Sequence, residues 1–197
     1  MQKPAATNTP IHELLANRWS PRAFSPEPVE EEKLLSLFEA ARWSPSAANS
    51  QPWSFIVTQR GDGCHEQFVQ ILAGFNQMWA PNAPVLVLTV ATPQPDSKDG
   101  AANAYSYYDL GQAVALLSVQ AGAVGLWLHQ MGGFDHEAAR VLFGLPKGYE
   151  PMSVIAIGYQ GDINVLPDSA QEREKAPRER KPIEEFVFKD GWQQPLR

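Results

Sequence analysis

The sequence holds one cysteine, Cys64, and four histidines, His12, His65, His129 and His136, in 197 residues. A single thiol builds no internal disulfide framework and no cysteine-rich zinc site, and a reducing cytoplasm is the expected compartment. The histidines follow neither a metal-ligand spacing nor an H-E-x-x-H helix, so no metal centre is expected. Charge is also sparse, at 19% of residues, and 22 acids against 16 Lys and Arg leave a formal net charge of -6. That balance argues against a nucleic-acid partner, because phosphate backbones are held by clustered cations. The opening residues MQKPAATNTP lack the apolar stretch of a signal peptide, and no export is expected.

Catalytic signatures are missing as well. No G-x-G-x-x-G follows a strand-like run, and neither G-x-x-x-x-G-K-[ST] nor G-x-S-x-G occurs. A dinucleotide fold, a P-loop and a nucleophile elbow are therefore not signalled. Cys64 stands beside His65 in RGDGCHEQ, which reads as an exposed turn and not as a thiolate pair.

What is present is a globular composition, 44% hydrophobic, in a length suited to one domain spanning residues 1–197. Residues 110–128, LGQAVALLSVQAGAVGLWL, carry no charge and approach the length of a membrane span. Gln112, Ser118, Gln120 and the many Ala and Gly residues favour a helix buried in a soluble protein, with no membrane partner.

Along the chain, Thr9 and Pro10 are expected to cap and start a short helix through Leu15. Residues 26–46 read as an amphipathic helix with Leu34, Leu35, Phe38 and Ala41 on one face, stopped by Ser44-Pro45. Residues 53–58, 85–91 and 153–159 are apolar runs without alternation, as in strands buried on both faces, and residues 125–130 form a fourth candidate. Between them lie expected helices over residues 102–123 and 136–143, the second capped by Asp135 and ended by Gly144 and Pro146. The mixture implies α/β or α+β. Residues 92–104, rich in Pro, Asp, Gly and Asn, are the expected mobile loop over a site, and the polar stretch after Pro167 is expected to wrap a surface without adding to the core.

Four segments carry candidate chemistry. NRWSPRAF sets Arg18 and Arg22 around Ser20, two planar donor forks suited to phosphate or to a carbonyl-rich ring. ARWSPSAANSQPWSF leaves a helix and enters a strand past Ser46, Ala47, Asn49 and Gln51, small or neutral residues that let a backbone approach a flat ligand. HQMGGFD places Met131, Gly132 and Gly133 before a capped helix, where glycine allows unusual backbone angles and bare N–H groups. RERKP adds Arg178 and Arg180. Each has an ordinary reading too: arginines bridging to the acidic run 27–32, turn formers, or a solvated charge run.

In this order, R-x-S-x-R, S-P-S-x-x-N-x-Q-P-W, G-L-x-x-H-x-M-x-G-F-D, I-A-I-G-Y and R-x-R, the chain resembles the FMN-dependent nitroreductases over roughly residues 10–186. The resemblance implies an α+β, three-layer fold with a mixed central sheet flanked by helices, in an intertwined homodimer with two FMN sites at the subunit interface. It implies that Arg18, Ser20 and Arg22 hold the phosphate, ribityl chain and pyrimidine edge of FMN, with Trp19 contributing backbone. It puts Ser46, Ala47 and Asn49 on the same flavin from the other subunit, the Met131, Gly132 and Gly133 segment near N5, and Arg178 and Arg180 at the phosphate. The long apolar helix becomes the dimer core, and the C-terminal EFVFKDGW crosses to the partner.

Two departures stand out. Asn76 occupies the place of an Asn that related reductases pair with a Lys, and no Lys accompanies it, so charge at the pyrimidine comes from Arg22 or is weaker than in those relatives. Residues 92–104 are short for the lid of the flavin-dependent dehalogenases of this superfamily. The implied activity is NADH- or NADPH-driven reduction of an electron-poor small molecule, such as a nitroaromatic or a quinone, through flavin N5. The alternatives are a flavin carrier or sensor without turnover, a dehalogenase-like member, or a cofactor-free scaffolding dimer.

Overall fold

Strand β2, Val85–Ala91, is apolar at every position but Thr89 and is buried along its whole length. Such a strand needs cover on both faces and partners on both edges. In the structure, a computed structural model that describes residues 2–93 and 103–196, it receives both. The sheet order is β1 (Trp53–Gln59), β2, β4 (Glu150–Gly158), β3 (Trp127–Met131).

Alternate residues of the sheet feed two cores. Val85, Val87, Ala91, Leu128, Ile155 and Ile157 face helices α2 (Glu31–Arg42) and α5 (Ser106–Ala123). On the other face, Leu86, Leu88, Val90, Met131, Val154 and Ala156 meet Phe24, Phe68, Trp79 and Phe134. Two helical layers around a sheet give the α+β class the sequence implies. The departure is in the pairing, which is antiparallel throughout the described strands and not mixed. The crossover through α5 sets β3 parallel to β2 but two places away, and β4 enters between them, antiparallel to both.

Edge position explains a second difference. Among the described strands β1 pairs on one side only; Thr58 alone is buried in it, the rest are half-buried or exposed, and Val57 is 36% exposed. It was expected to be buried on both faces, and as an edge strand it is not.

Helix α1 spans Glu13–Asn17, later than the Thr9-Pro10 start, because His12 provides the cap: the Leu14 N–H donates to its Nδ1 at 3.2 Å. In α2 the buried stripe is Leu34, Leu37 and Ala41, while Leu35 is 59% exposed, since the i, i+3, i+7 spacing excludes it. Cys64 and His65 lie in a helix, α3 (Gly63–Gln70), in place of the expected turn; Cys64 is exposed, and His65 and Phe68 are buried one turn apart. A four-residue helix, α4 (Gly74–Gln77), follows.

Helix α5 starts at Ser106, inside the expected range, and α6 (His136–Phe143) has the expected bounds, with Asp135 Oδ1 accepting from the Ala138 N–H at 2.9 Å. The polar stretch after Pro167 does add to the core: it forms α7 (Asp168–Lys175), which buries Ala170 and Glu174. A stripe of two residues in eight is too short for periodicity to reveal. Most of the loop expected over a site, residues 94–102, lies outside the described residues. No helix among the described residues is long and apolar enough to cross a membrane.

Candidate functional site

The Arg18–Arg22 turn follows the C-terminus of α1, where the Arg18 N–H donates to the Leu14 carbonyl at 3.2 Å. The Arg18 Nη1 donates to Ser20 Oγ at 3.3 Å, and Trp19, only 5% exposed, packs edge-on against Trp127 at 5.9 Å. The exit from the turn runs beside the end of β4: the Ser25 N–H donates to the Tyr159 carbonyl at 2.9 Å and the Gly161 N–H to the Ala23 carbonyl at 2.8 Å. Gly161 is required by space, since a Cβ there would stand 2.4 Å from the Phe24 carbonyl carbon.

Two groups that the sequence reading did not nominate, one buried and one half-buried, fix this turn. The Glu174 carboxylate, 1% exposed, accepts from the Arg22 N–H at 2.9 and 3.0 Å and from the Ala23 N–H at 3.2 Å. It also faces the Arg22 guanidinium, with Nη1 at 3.5 Å. His129 lies beneath the turn, 4.5 Å from the Trp79 ring, with Nδ1 3.0 Å from the Pro21 carbonyl oxygen. A carbonyl only accepts, so Nδ1 carries the hydrogen and donates. Burial, with Arg22 behind it and Arg18 farther off, pushes His129 down to about 4 and keeps the ring neutral.

Chain segments far apart in sequence bring further cations to this turn. Arg178 Nη1 donates to the carbonyls of Lys3 (2.6 Å) and Ala16 (2.8 Å), which anchors it at the end of α1. Burial, then the like charges of Arg178 and Arg180, lower the Arg18 pKa. Lys3 stands 4.8 Å above the Trp19 ring and donates to the Glu174 carbonyl at 2.7 Å. Among the described residues, Arg18, Arg178 and Arg180 enter no ion pair. In a chain of net charge -6, this is a local concentration of uncompensated positive charge. The structure thus brings Arg18, Ser20, Arg22, Arg178 and Arg180 to one region.

Asn76 and Gly133 also meet. The Gly133 carbonyl accepts from Asn76 Nδ2 and from the Ala73 N–H, both at 2.9 Å. Neither Gly132 nor Gly133 has the positive φ that the sequence suggested. Space is the constraint at Gly133, where a Cβ would lie 3.1 Å from Asn76 Nδ2 and 3.2 Å from the Ala73 Cβ. Met131, 3% exposed, belongs to the core.

Ser46, Ala47 and Asn49 lie elsewhere in the chain. Positive φ occurs here instead, at Ala48 (51°), Asn49 (54°) and Gln51 (48°), a left-handed path that non-glycine residues follow at a cost. Side chains hold it: the Ala47 N–H donates to Asp109 Oδ2 at 3.0 Å, and the Gln51 N–H to Ser46 Oγ at 3.0 Å. Asp109, 2% exposed in the first turn of α5, is another residue the sequence reading passed over. A buried carboxylate in an otherwise uncharged helix was the available signal.

The two halves open into separate cavities, one of about 320 Å³ lined by Arg18, Trp19, Ser118 and Gly122, the other of about 270 Å³ lined by Ser46, Ala47 and Asp109. They sit toward opposite ends of α5. From Asp109 to Ser118 the helix advances about 14 Å at 1.5 Å per residue. A single chain therefore does not join them.

The family profile described as Nitroreductase family matches residues 15–159. The crystal structure of an oxidoreductase containing FMN superimposes with a TM-score of 0.91 over 96% of this chain and 96% of its own, at 34% identity. An uncharacterised 15.4 kDa protein from the ask 5' region of Mycolicibacterium smegmatis is 35% identical over 150 residues, 72% of this chain and 99% of its own. An NADH dehydrogenase of Thermus thermophilus is 26% identical over 87% of this chain and 91% of its own. With the profile spanning most of the chain and the architecture shared nearly end to end, the chain belongs to the nitroreductase family.

Proposed function

We propose that this protein is a cytoplasmic, single-domain FMN oxidoreductase that works as a homodimer, takes electrons from NADH or NADPH, and reduces an electron-poor small molecule such as a nitroaromatic or a quinone. The observation that carries the reading is the meeting of Arg18, Arg178 and Arg180, free of acidic partners among the described residues, beside Ser20. Uncompensated guanidiniums with a hydroxyl are the donor set a phosphate ester takes.

The residues fit FMN on further counts. Arg22 Nε and Trp19 Nε1 are buried donors without a partner among the described residues, a costly arrangement that a bound polar group would relieve. A Cβ at Gly133 would crowd Asn76 and Ala73, so glycine keeps this segment close against Asn76. When bound, FMN supplies the chemistry that the side chains lack, accepting a hydride at N5 and passing electrons on. The roles proposed for the chain are binding and positioning. Arg18, Ser20, Arg178 and Arg180 hold the phosphate and ribityl end, with the Trp19 backbone beside them. Arg22 and Asn76 serve the pyrimidine, and Met131, Gly132 and Gly133 the N5 side.

The dimer follows from α5. Its exposed side, with Tyr108, Gly111, Ala115, Leu116, Gly122 and Ala123, carries no charge, and Tyr108 is 69% exposed. A solvent-facing uncharged helix face is a contact surface. Two copies packed on it bring the Ser46, Ala47 and Asn49 half of one chain to the arginine half of the other, which explains why one chain leaves them apart.

The test is the visible spectrum of the purified chain after incubation with FMN, followed under anaerobic conditions on adding NADH or NADPH. Retained flavin that bleaches with either nucleotide is the expected result. A chain that takes up no FMN refutes the proposal, and flavin that neither nucleotide bleaches replaces it with a carrier or sensor.

A further inference from the structure

Arg22 is the cation assigned above to the flavin pyrimidine, yet it is not a free cation. Glu174 lies behind it, its side chain 2% exposed against 20% for Arg22, with Oε2 3.5 Å from Nη1. The same carboxylate accepts the backbone N–H groups of Arg22 and Ala23. The acid therefore fixes where the Arg22 backbone runs and also screens the charge its side chain presents. The other guanidiniums of the region have no such counter-ion among the described residues. A purely mechanical anchor for the turn needs no charge, since the Ala23 carbonyl and Ser25 N–H already bind the chain to β4 and the residues beyond it.

We infer that Glu174 is a positioning residue that sets the reduction potential of the bound flavin, by partly neutralising the one guanidinium that faces the ring. This rests on the FMN reading given above. Reduced FMN bound at neutral pH is an anion along its N1 and C2 carbonyl edge, so a full positive charge there favours the reduced form and a screened one favours it less. Glu174 holds the potential lower than Arg22 alone would set it.

The experiment compares the wild-type holoprotein with Glu174→Gln, measuring the midpoint potential at saturating FMN by dye equilibration and the affinities for oxidised and reduced FMN. Glu174→Gln should favour reduced over oxidised FMN by about tenfold relative to wild type, a rise of about 30 mV for a two-electron couple. Arg22→Gln, which leaves the acid uncompensated, should move the potential down, and in that background the added Glu174→Gln substitution should raise it again by at least about tenfold in the same ratio, since nothing then screens the carboxylate.

A folded Glu174→Gln protein whose potential is unchanged or lower, or which weakens both redox forms equally, overturns the inference and leaves Glu174 as an anchor. So does failure of the folded variant to bind reduced FMN. If Glu174→Gln does not fold, Arg22→Gln decides, and an unchanged potential there overturns the inference. A wild-type chain that binds no FMN is a separate outcome, which removes the function proposed above.

Discussion

Replacing His129 with Asn isolates one half-buried base whose cost can be worked out. Folded, His129 is held neutral at about 4; its ordinary value is 6.5. Between those values the unfolded chain binds a proton that the folded one does not, so stability falls as pH drops through that window. The contribution is intact above pH 6.5 and is exhausted below about pH 4. For one such group the loss at pH 5 is about 2 kcal/mol, from the ratio of the two binding polynomials. Asn places an N–H near the Nδ1 position and does not titrate. Losing the Trp79 contact costs about 1 kcal/mol at any pH.

The assay is urea unfolding of FMN-free protein, followed by tryptophan fluorescence, from pH 7.5 to 4.5. His65, pushed down by burial, titrates in both proteins, and Glu30 and Glu39, held at about 2 by hydrogen bonds from Lys33 and Arg42, titrate mainly below the window. The difference between the two proteins therefore belongs to His129. Wild type should lose about 2 kcal/mol more than His129→Asn on going to pH 5. Parallel curves would refute the assignment of a neutral imidazole under the arginine turn.

Three further outcomes are expected. Leu117→Ala removes a fully buried side chain between α5 and the sheet and should cost about 2–5 kcal/mol in denaturant unfolding, with the exposed Leu35→Ala as a control within about 0.5 kcal/mol. Gly161→Ala forces a methyl group into the Phe24 backbone, so the arginine turn must move; FMN uptake should fall at least about tenfold, more than the loss of global stability explains. Leu116→Arg puts a charge on the uncharged face of α5 and should shift the protein from dimer to monomer in light scattering, with FMN lost in parallel. A monomer that retains FMN at full affinity would refute a shared site.

Sequence alone determined the elements whose signals are local. The apolar run of β2 and the Asp135 cap and Gly144 stop of α6 each express a backbone requirement within a few residues, and the structure has them where they were read, while α5 ends at Ala123 as read and starts later, at Ser106. The order of the arginine, serine and glycine segments sufficed for the family in the same way. The tertiary structure alone decided which groups face one another. Glu174 in a polar run and Lys3 near the N-terminus carry no pattern that distinguishes them from solvated charges, and the lone acid of an apolar helix, Asp109, shows nothing of its partner. Burial and hydrogen bonding to a backbone more than 60 residues away give Glu174 and Asp109 their roles. The order of strands, and hence which strand is an exposed edge, was undetermined for the same reason: pairing is a non-local choice among runs of nearly equal apolarity, made by the path of the connections and not by the strands themselves.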